Sequence, residues 1–125
     1  MFNIECGEYL HFKGKPYIIY GTGVDTNNIE YVIYRHDYGA REFWIRQTNM
    51  FKETIERDGA VMKRFACVRE INAKESLDEL IRVWHATSMP LYHSETLEAY
   101  EIVSIDSENY NIKLDKSTRY EKKES

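Results

Sequence analysis

The chain of 125 residues has little of what defines several common protein classes. It contains two cysteines and two prolines, and no apolar run approaches the ~20 residues that cross a bilayer. Cys6 and Cys67 form no C-x-x-C pair, so we interpret them as free thiols in a reducing compartment. Residues 1–7 lack the basic start and apolar run of a signal peptide. We therefore expect a cytoplasmic protein without a membrane partner.

The chain also lacks a basic excess. Its 17 Lys and Arg residues face 21 Asp and Glu residues, which gives a net charge of -4. Residues 1–71 are neutral, and residues 72–125 carry the whole acidic excess. A protein that binds nucleic acid through the phosphate backbone needs a basic face, so nucleic acid is an unfavoured partner. The balance still allows a local basic cleft.

Aromatic residues are abundant, at 14% with ten tyrosines, and they favour β structure. Short runs of alternating, β-branched and aromatic residues are separated by tight turns. These runs predict strands at Glu8–His11, Tyr17–Val24, Ile29–His36, Phe43–Arg46, Glu53–Ile55 and Val61–Ile71. So many short strands in one span favour a small antiparallel barrel formed by residues 1–71, because a barrel removes exposed sheet edges.

After Asn72 the period of the apolar residues changes from two to that of a helix. One stripe is formed by Leu77, Leu80, Ile81 and Trp84. Ser76 and Glu79 predict a capping box at the helix start, and residues 88–90 end the helix at a proline. We expect this stripe to pack on the barrel. Packing alone then explains why Trp84 is in the stripe.

Two further alternating runs, residues 98–105 and 110–114, predict a C-terminal β-hairpin. The fold class is thus mainly β (α+β), with one helix and one hairpin added to a small barrel. We expect residues 72–115 to pack on the barrel and share its core. Residues 116–125 are almost wholly polar, and we expect them to form a disordered tail.

Spaced motifs in the first half of the chain resemble a bacterial and phage family known as domain of unknown function 1653. The matching positions are Gly7, Tyr9, His11-Phe12-Lys13-Gly14, Tyr17, Tyr31-Val32-Ile33-Tyr34, Tyr38-Gly39, Trp44-Ile45-Arg46, Met50-Phe51, Gly59 and Arg64-Phe65. The resemblance spans residues 7–65 and implies a compact SH3-like barrel, without an assigned activity. It also implies a bacterium or a phage-infected cell as the source.

The chain departs from the family pattern at two places. The family has proline after its W-x-R tripeptide, where this chain has Gln47, and it has the string HSETLE where this chain has residues 25–30. That string occurs instead at residues 93–98. Residues 90–114 are therefore either a partial second copy of an earlier turn and strand or a chance likeness between two β-turns.

The residues offer little support for catalysis or metal binding. None of the four histidines, His11, His36, His85 and His93, has the spacing of a zinc site. Ser94 beside His93 and Glu95 is no triad, because sequence neighbours on a strand point to opposite faces. Neither a G-x-S-x-G elbow nor a phosphate-binding glycine loop is present. We expect no enzyme activity, no metal and no cofactor.

Ligand binding has better support from the residue types. On a strand, Trp44 and Arg46 share one face while Phe43 and Ile45 share the other. If Phe43 and Ile45 fill the barrel, the other pair forms an outward platform that can stack a planar ring and bind an anion. The alternative interpretation is that Trp44 lies in the core. The remaining predicted ligand-binding residues are Tyr9, His11, Tyr38 and Arg35, with Tyr20 and Tyr34 in support.

His11 comes from the family motif and follows a strand, where it has two interpretations. Its imidazole either contacts a ligand or fixes the adjacent turn through a backbone hydrogen bond.

The leading hypothesis is therefore a non-enzymatic module that captures a small anionic, nucleotide-like ligand. Since phages encode small proteins that sequester host nucleotide signals, an anti-defence role is its specific form. The alternatives are a protein-interaction adaptor that uses the helix face or the C-terminal hairpin, and a nucleic-acid-binding barrel, which the charge disfavours. A homo-oligomer is compatible with each.

Overall fold

The computed structural model describes residues 2–39, 41–87 and 89–124. Ten strands and two helices follow one another within these described residues. They are β1 (Gly7–His11), β2 (Pro16–Val24), β3 (Glu30–His36), β4 (Phe43–Gln47), α1 (Thr48–Phe51), β5 (Thr54–Arg57), β6 (Ala60–Lys63), β7 (Phe65–Glu70), α2 (Ala73–Thr87), β8 (Leu91–His93), β9 (Ala99–Asp106) and β10 (Asn111–Lys116).

The antiparallel meander of β2, β3 and β4 lies at the centre of the fold and is buried on both faces. In β3, four consecutive residues, Tyr31 to Tyr34, are each 3% exposed or less. A strand with one solvated face would alternate between buried and exposed residues. The unbroken burial shows that a separate core covers each face of the meander.

The first core fills a closed barrel of six strands, β2, β3, β4, β8, β9 and β10. The barrel closes where Lys113 of β10 pairs in parallel with Val24 of β2. A second parallel pairing joins β4 to β8. The interior holds aliphatic and aromatic side chains from all of these strands and from α2, with Ile33, Ile45 and Ile112 among the most deeply buried.

The second core lies on the opposite face of the meander, under β1, β7 and α1. It consists of Tyr9, Ile19, Val32, Tyr34, Phe51 and Phe65. Strand β7 pairs with β1, and β1 pairs with β2, so the chain folds back over the outer face of β3 and β4. Stacking of Phe51 on Phe65, with ring centroids 4.3 Å apart, joins α1 to β7.

The predicted fold class, a small barrel with one amphipathic helix and a C-terminal hairpin, is confirmed. The C-terminal strands lie within the wall of the closed barrel, so its core is not built from residues 1–71 alone. The predicted single strand 61–71 is interrupted at Arg64, whose N–H donates to the carbonyl of Glu53 and leaves β5 and β6 as a separate hairpin. No helix in the described part of the chain is long and apolar enough to cross a membrane.

Helix α2 begins earlier than predicted, and the capping box is wrong. The Asn72 side chain accepts a hydrogen bond from the N–H of Lys74 at 2.9 Å, which is the contact of an N-cap residue. Ser76 lies inside the helix and donates to the carbonyl of Tyr20 at 3.0 Å, while Glu79 pairs with Arg82. The predicted stripe packs into the first core, and the helix ends at Thr87. Ser88, part of the predicted stop, lies outside the described residues.

Residues 117–124, predicted as a disordered tail, contact the barrel without forming a helix or a strand. The N–H of Lys123 donates to the carbonyl of Leu97 at 2.8 Å, and its ammonium group pairs with Glu42. Arg119 pairs with Glu101 on β9. Ion pairs with the acidic side chains of the barrel thus hold a segment that has few apolar groups to bury. Ser125 lies outside the described residues.

The turns at residues 25–30 and 93–98, which the sequence analysis compared as a repeat, have similar hydrogen bonds. In the first turn the Asp25 carboxylate accepts from the N–H groups of Asn27 and Ile29. In the second turn, Nδ1 of His93 accepts from the N–H groups of Glu95 and Thr96, at 3.1 and 3.2 Å. The turns lie side by side, since the ring of Tyr31 contacts His93 and its hydroxyl donates to Asp25.

Glycine at position 7 is required by both its backbone angle and its surroundings. Its φ is +142°, and an added Cβ would lie 2.1 Å from the carbonyl oxygen of Arg69 on β7. Gly14 is the matched control, because its φ is +87° but nothing lies within 4 Å of an added Cβ. We expect Gly14→Ala to cost roughly 1–2 kcal/mol through backbone strain alone.

For Gly7→Ala we expect a loss of about 3 kcal/mol or more, because the clash is with backbone that also belongs to a β-ladder. Urea unfolding of both variants and the native chain measures the difference. Equal losses for the two alanine variants would contradict the tight packing of β1 on β7.

The buried His93 makes stability depend on pH. Burial lowers the pKa of His93 below its ordinary value, and Arg46 acts in the same direction, against Glu95 and Glu98. The unfolded chain, with a His pKa of about 6.5, then binds more protons than the folded chain. The contribution of His93 to the free energy of unfolding is therefore fully present above about pH 6.5 and decreases as the pH falls toward 5.

The variant His93→Asn tests this, because an amide oxygen can accept the same N–H groups without titrating. We expect the slope of unfolding free energy between pH 7 and 5 to fall by up to about 1.4 kcal/mol per pH unit. His85→Asn, at an exposed position on α2, makes the same substitution away from this turn and is the control. The pKa values of His11 and His36 are also lowered, so some slope should remain. An unaltered slope in His93→Asn would refute the assignment.

Candidate anion-binding face

The face of β4 that carries Trp44 and Arg46 lies along the edge of the second core. Phe43 and Ile45 point into the barrel, with 4% and 0% of their surface exposed, whereas Trp44 and Arg46 are half-buried on the other side. Trp44 packs against the second core with one part of its ring. The burial therefore agrees with the predicted alternation of side chains along this strand. Trp44 partly packs against the second core and is partly exposed at the surface.

Two donor atoms on this face are buried without a hydrogen-bond partner among the described residues. They are Nε1 of Trp44 and Nε of Arg46. Ser94 follows β8, and its N–H donates to the carbonyl of Ile45, so its side chain lies next to that of Arg46. Arg46 also forms no ion pair with the described carboxylates. Buried polar groups are normally paired, so this cluster needs an explanation.

The Arg46 side chain lies against the second core. Its guanidinium lies 5.7 Å from the centroid of Phe65, in the range of a cation–π contact. Burial raises the pKa of the Tyr34 hydroxyl, while the charge of Arg46 and side-chain hydrogen bonds with Arg46 and Ser94 oppose that rise. Tyr34 therefore forms the buried floor under the Arg46–Ser94 pair and is itself only 3% exposed.

A stack of three rings continues from Trp44 along the same face. The His36 ring stacks on Trp44 at 5.5 Å and on Tyr38 at 4.8 Å, with interplanar angles of 19° and 2°. The ammonium group of Lys15 lies 5.3 Å from the Tyr38 ring, at the far end of the stack. Burial lowers the pKa of His36, while Glu42 opposes the shift. The imidazole is therefore favoured in its neutral form within the stack.

His11 has the turn-fixing role that was one of its two interpretations. Its Nδ1 accepts a hydrogen bond from the N–H of Lys13 at 3.2 Å. Its ring also contacts Phe65 at 5.0 Å, which places it near the guanidinium of Arg46. Burial lowers the pKa of His11, and the charges of Arg64, Lys13 and Arg46 lower it further. His11 thus lies among three cations.

Two of the predicted site residues lie away from this face. Tyr9 is 6% exposed and belongs to the second core, where its hydroxyl donates to the carbonyl of Glu5 at 2.6 Å. Arg35 lies on the barrel side of β3, with its guanidinium over the rings of Tyr20 and Phe43. The supporting residue Tyr20 is buried there at 2% exposure. The structure therefore brings together Trp44, Arg46, His11 and Tyr38, but not Tyr9 or Arg35.

Sequence reasoning missed several residues of the face. His36 follows Tyr34 by two positions and so shares its face, which the strand period could have revealed. Tyr17 connects the two parts of the face, because its ring contacts those of His11 and His36. Ser94 carried no usable signal, because its position depends on the parallel pairing of β4 with β8.

Two open clefts of about 590 and 650 Å³ lie elsewhere on the surface. The first is lined by the Asp25 turn and β10, but the Asp25 carboxylate is already bonded to its own turn and to Tyr31. The second lies beside residues 2–6 and 70–73. Within residues 2–39, 41–87 and 89–124, no group of three or more His, Cys, Asp or Glu side chains is placed to hold a metal ion.

These features define a small β-barrel protein with an aromatic and cationic face on its N-terminal half. Residues 7–67 match the model of a family described as "Protein of unknown function (DUF1653)", so the resemblance predicted from the sequence is confirmed. The chain is also similar to a crystal structure of a protein of this family from Bordetella bronchiseptica. That similarity has 23% identity and a TM-score of 0.50, and it covers 56% of this chain and 94% of the other. No curated protein matches the chain.

Proposed function

We propose that this protein binds a small anionic ligand with a planar ring, of the nucleotide type, on the face formed by Trp44, Arg46, Ser94, His36 and Tyr38. The observation that carries the proposal is the pair of donors without partners, Nε1 of Trp44 and Nε of Arg46. An indole N–H and a guanidinium can only donate. Both side chains therefore need acceptors, which a ligand with oxygen atoms would supply, and the Ser94 hydroxyl lies beside them.

The charge of Arg46 supports an anion in particular. A half-buried guanidinium loses part of its hydration, and a facing ring compensates only part of that cost. Among the described residues no carboxylate pairs with it. A phosphate or carboxylate group accepts two parallel hydrogen bonds from a guanidinium, which is the geometry that best repays the desolvation.

The ring stack supports a planar group in the ligand. Tyr38, His36 and Trp44 already form a ladder of rings, and aromatic side chains stack nucleic-acid bases without requiring one base type. The role we propose is capture of the ligand, that is, its sequestration.

Replacing the two central side chains tests the proposal. We expect Arg46→Ala to weaken binding of AMP at least 100-fold, because it removes the paired charge, and Trp44→Ala to weaken it about 10-fold. Arg82→Ala and Trp84→Ala on α2 are matched controls with the same changes of charge and volume. Isothermal titration calorimetry measures the affinities, and circular dichroism establishes that each variant is folded.

Native mass spectrometry of the freshly purified protein gives an independent measurement. It reports the subunit number together with any ligand retained from the cell. A ligand-free native protein that also shows no heat of binding with AMP would contradict the proposal. Equal weakening by Arg46→Ala and Arg82→Ala would contradict the assigned face.

A protein-interaction role is the second candidate, and one observation favours it. The β5–β6 hairpin exposes Val61 at 71% and Met62 at 37%, and Val68 on β7 is 59% exposed. The helix face is a weaker docking surface, because Leu77 and Leu80 are each 1% exposed within the first core. A stoichiometric protein that co-purifies with the native chain, but not with Val61→Lys or Met62→Lys, would select this role.

A further inference from the structure

A second group of cations surrounds one half-buried ring next to the proposed site. Phe12 follows β1, and three cationic groups lie within about 6 Å of its centroid. The distances are 5.7 Å for Nζ of Lys13, 5.9 Å for Cζ of Arg57 and 6.0 Å for Cζ of Arg64. We call these four residues the Phe12 cluster.

The cluster is assembled from segments far apart in the chain. Lys13 lies in the turn between β1 and β2, Arg57 lies at the tip of the β5–β6 hairpin, and Arg64 precedes β7. The hairpin pairs only within itself, and most of its side chains are exposed. An isolated two-stranded hairpin is marginal in water, and the N–H of Phe12 anchors the base of this hairpin by donating to the carbonyl of Arg64 at 2.9 Å.

The positive charge of the cluster is largely uncompensated. Arg64 pairs with Glu53 at 3.5 Å, whereas Lys13 and Arg57 form no ion pair with the carboxylates of residues 2–39, 41–87 and 89–124. Three cations converge here in a chain whose net charge is -4. Cations gathered around one ring repel one another, and an anion between them would relieve that repulsion.

The cluster is continuous with the proposed site through two ring contacts. The His11 ring lies 4.4 Å from Phe12 and 5.0 Å from Phe65, and the Arg46 guanidinium lies over Phe65. A path of cations and rings therefore leads from Arg46 past His11 to the Phe12 cluster. A single phosphate group contacts only one end of this path.

We propose that the ligand is a nucleotide with at least two linked phosphate groups. This inference rests on the proposed function. The base stacks at Trp44, the first phosphate lies on Arg46 and Ser94, and the further phosphates extend toward Lys13, Arg57 and Arg64. The hairpin thereby gains a role, since it supplies Arg57 to the end of the phosphate chain.

Affinities for AMP, ADP and ATP, measured by isothermal titration calorimetry without divalent cations, test the inference. We expect each added phosphate to tighten binding about 10-fold, because it adds charge-assisted hydrogen bonds. The double variant Lys13→Ala/Arg57→Ala should bind ATP no more tightly than AMP and should leave the affinity for AMP unchanged. Both side chains are exposed, so the variant should retain its fold. Arg82→Ala/Lys113→Ala removes the same charge elsewhere and is the control.

The possible outcomes separate the two proposals. If AMP binds and ADP and ATP bind no more tightly, the linked-phosphate inference is wrong and the proposed function stands. If no nucleotide binds, the proposed function fails as well. Inorganic tripolyphosphate that binds as tightly as ATP would overturn the role of the base. Affinity for single-stranded DNA that rises with its length would overturn the inference in favour of strand binding.

Discussion

The structure depends on the burial of one three-stranded meander on both of its faces. Because β3 is buried without alternation, its even and odd side chains enter two different cores. A shift of register by one residue would exchange those cores, so the pairing of β2, β3 and β4 is strongly specified. The closed barrel on one side and the fold of β1 and β7 on the other both require this register.

The local elements could be predicted from the sequence, whereas the closure could not. Strands β1 to β4 and helix α2 follow from short-range periodicity and turn residues, and their predicted bounds lie within a few residues of the observed ones. Closure rests on the pairing of Lys113 with Val24, which are 89 positions apart, and on the three-residue strand β8. No period is visible in three residues, and distant pairing leaves no local signal. The break at Arg64 arises from a backbone contact with Glu53 and had no local signal either.

In the candidate site, too, some features follow from local sequence and others depend on distant contacts. Trp44 and Arg46 share a face because a strand has a period of two, and this followed from the sequence alone. Arg35 lies on the opposite face for the same reason, since it pairs with Phe43 across the ladder of β3 and β4. Tyr9 is drawn into the second core by its contact with Phe51. Whether a tyrosine lies in a core or on a surface depends on what packs above it, and that is a tertiary property.

The candidate face and the second core share the same side chains, and this determines how rigid the face is. Phe65 stacks on Phe51 inside the core and lies under the Arg46 guanidinium at its edge. Moving Arg46 away would uncover that ring, so the packing that stabilises the fold also holds the guanidinium in place. A group held in position before binding loses little conformational entropy when a ligand arrives. The Nε1 of Trp44 and the Nε of Arg46 are therefore ordered by the core rather than by a hydrogen-bond partner.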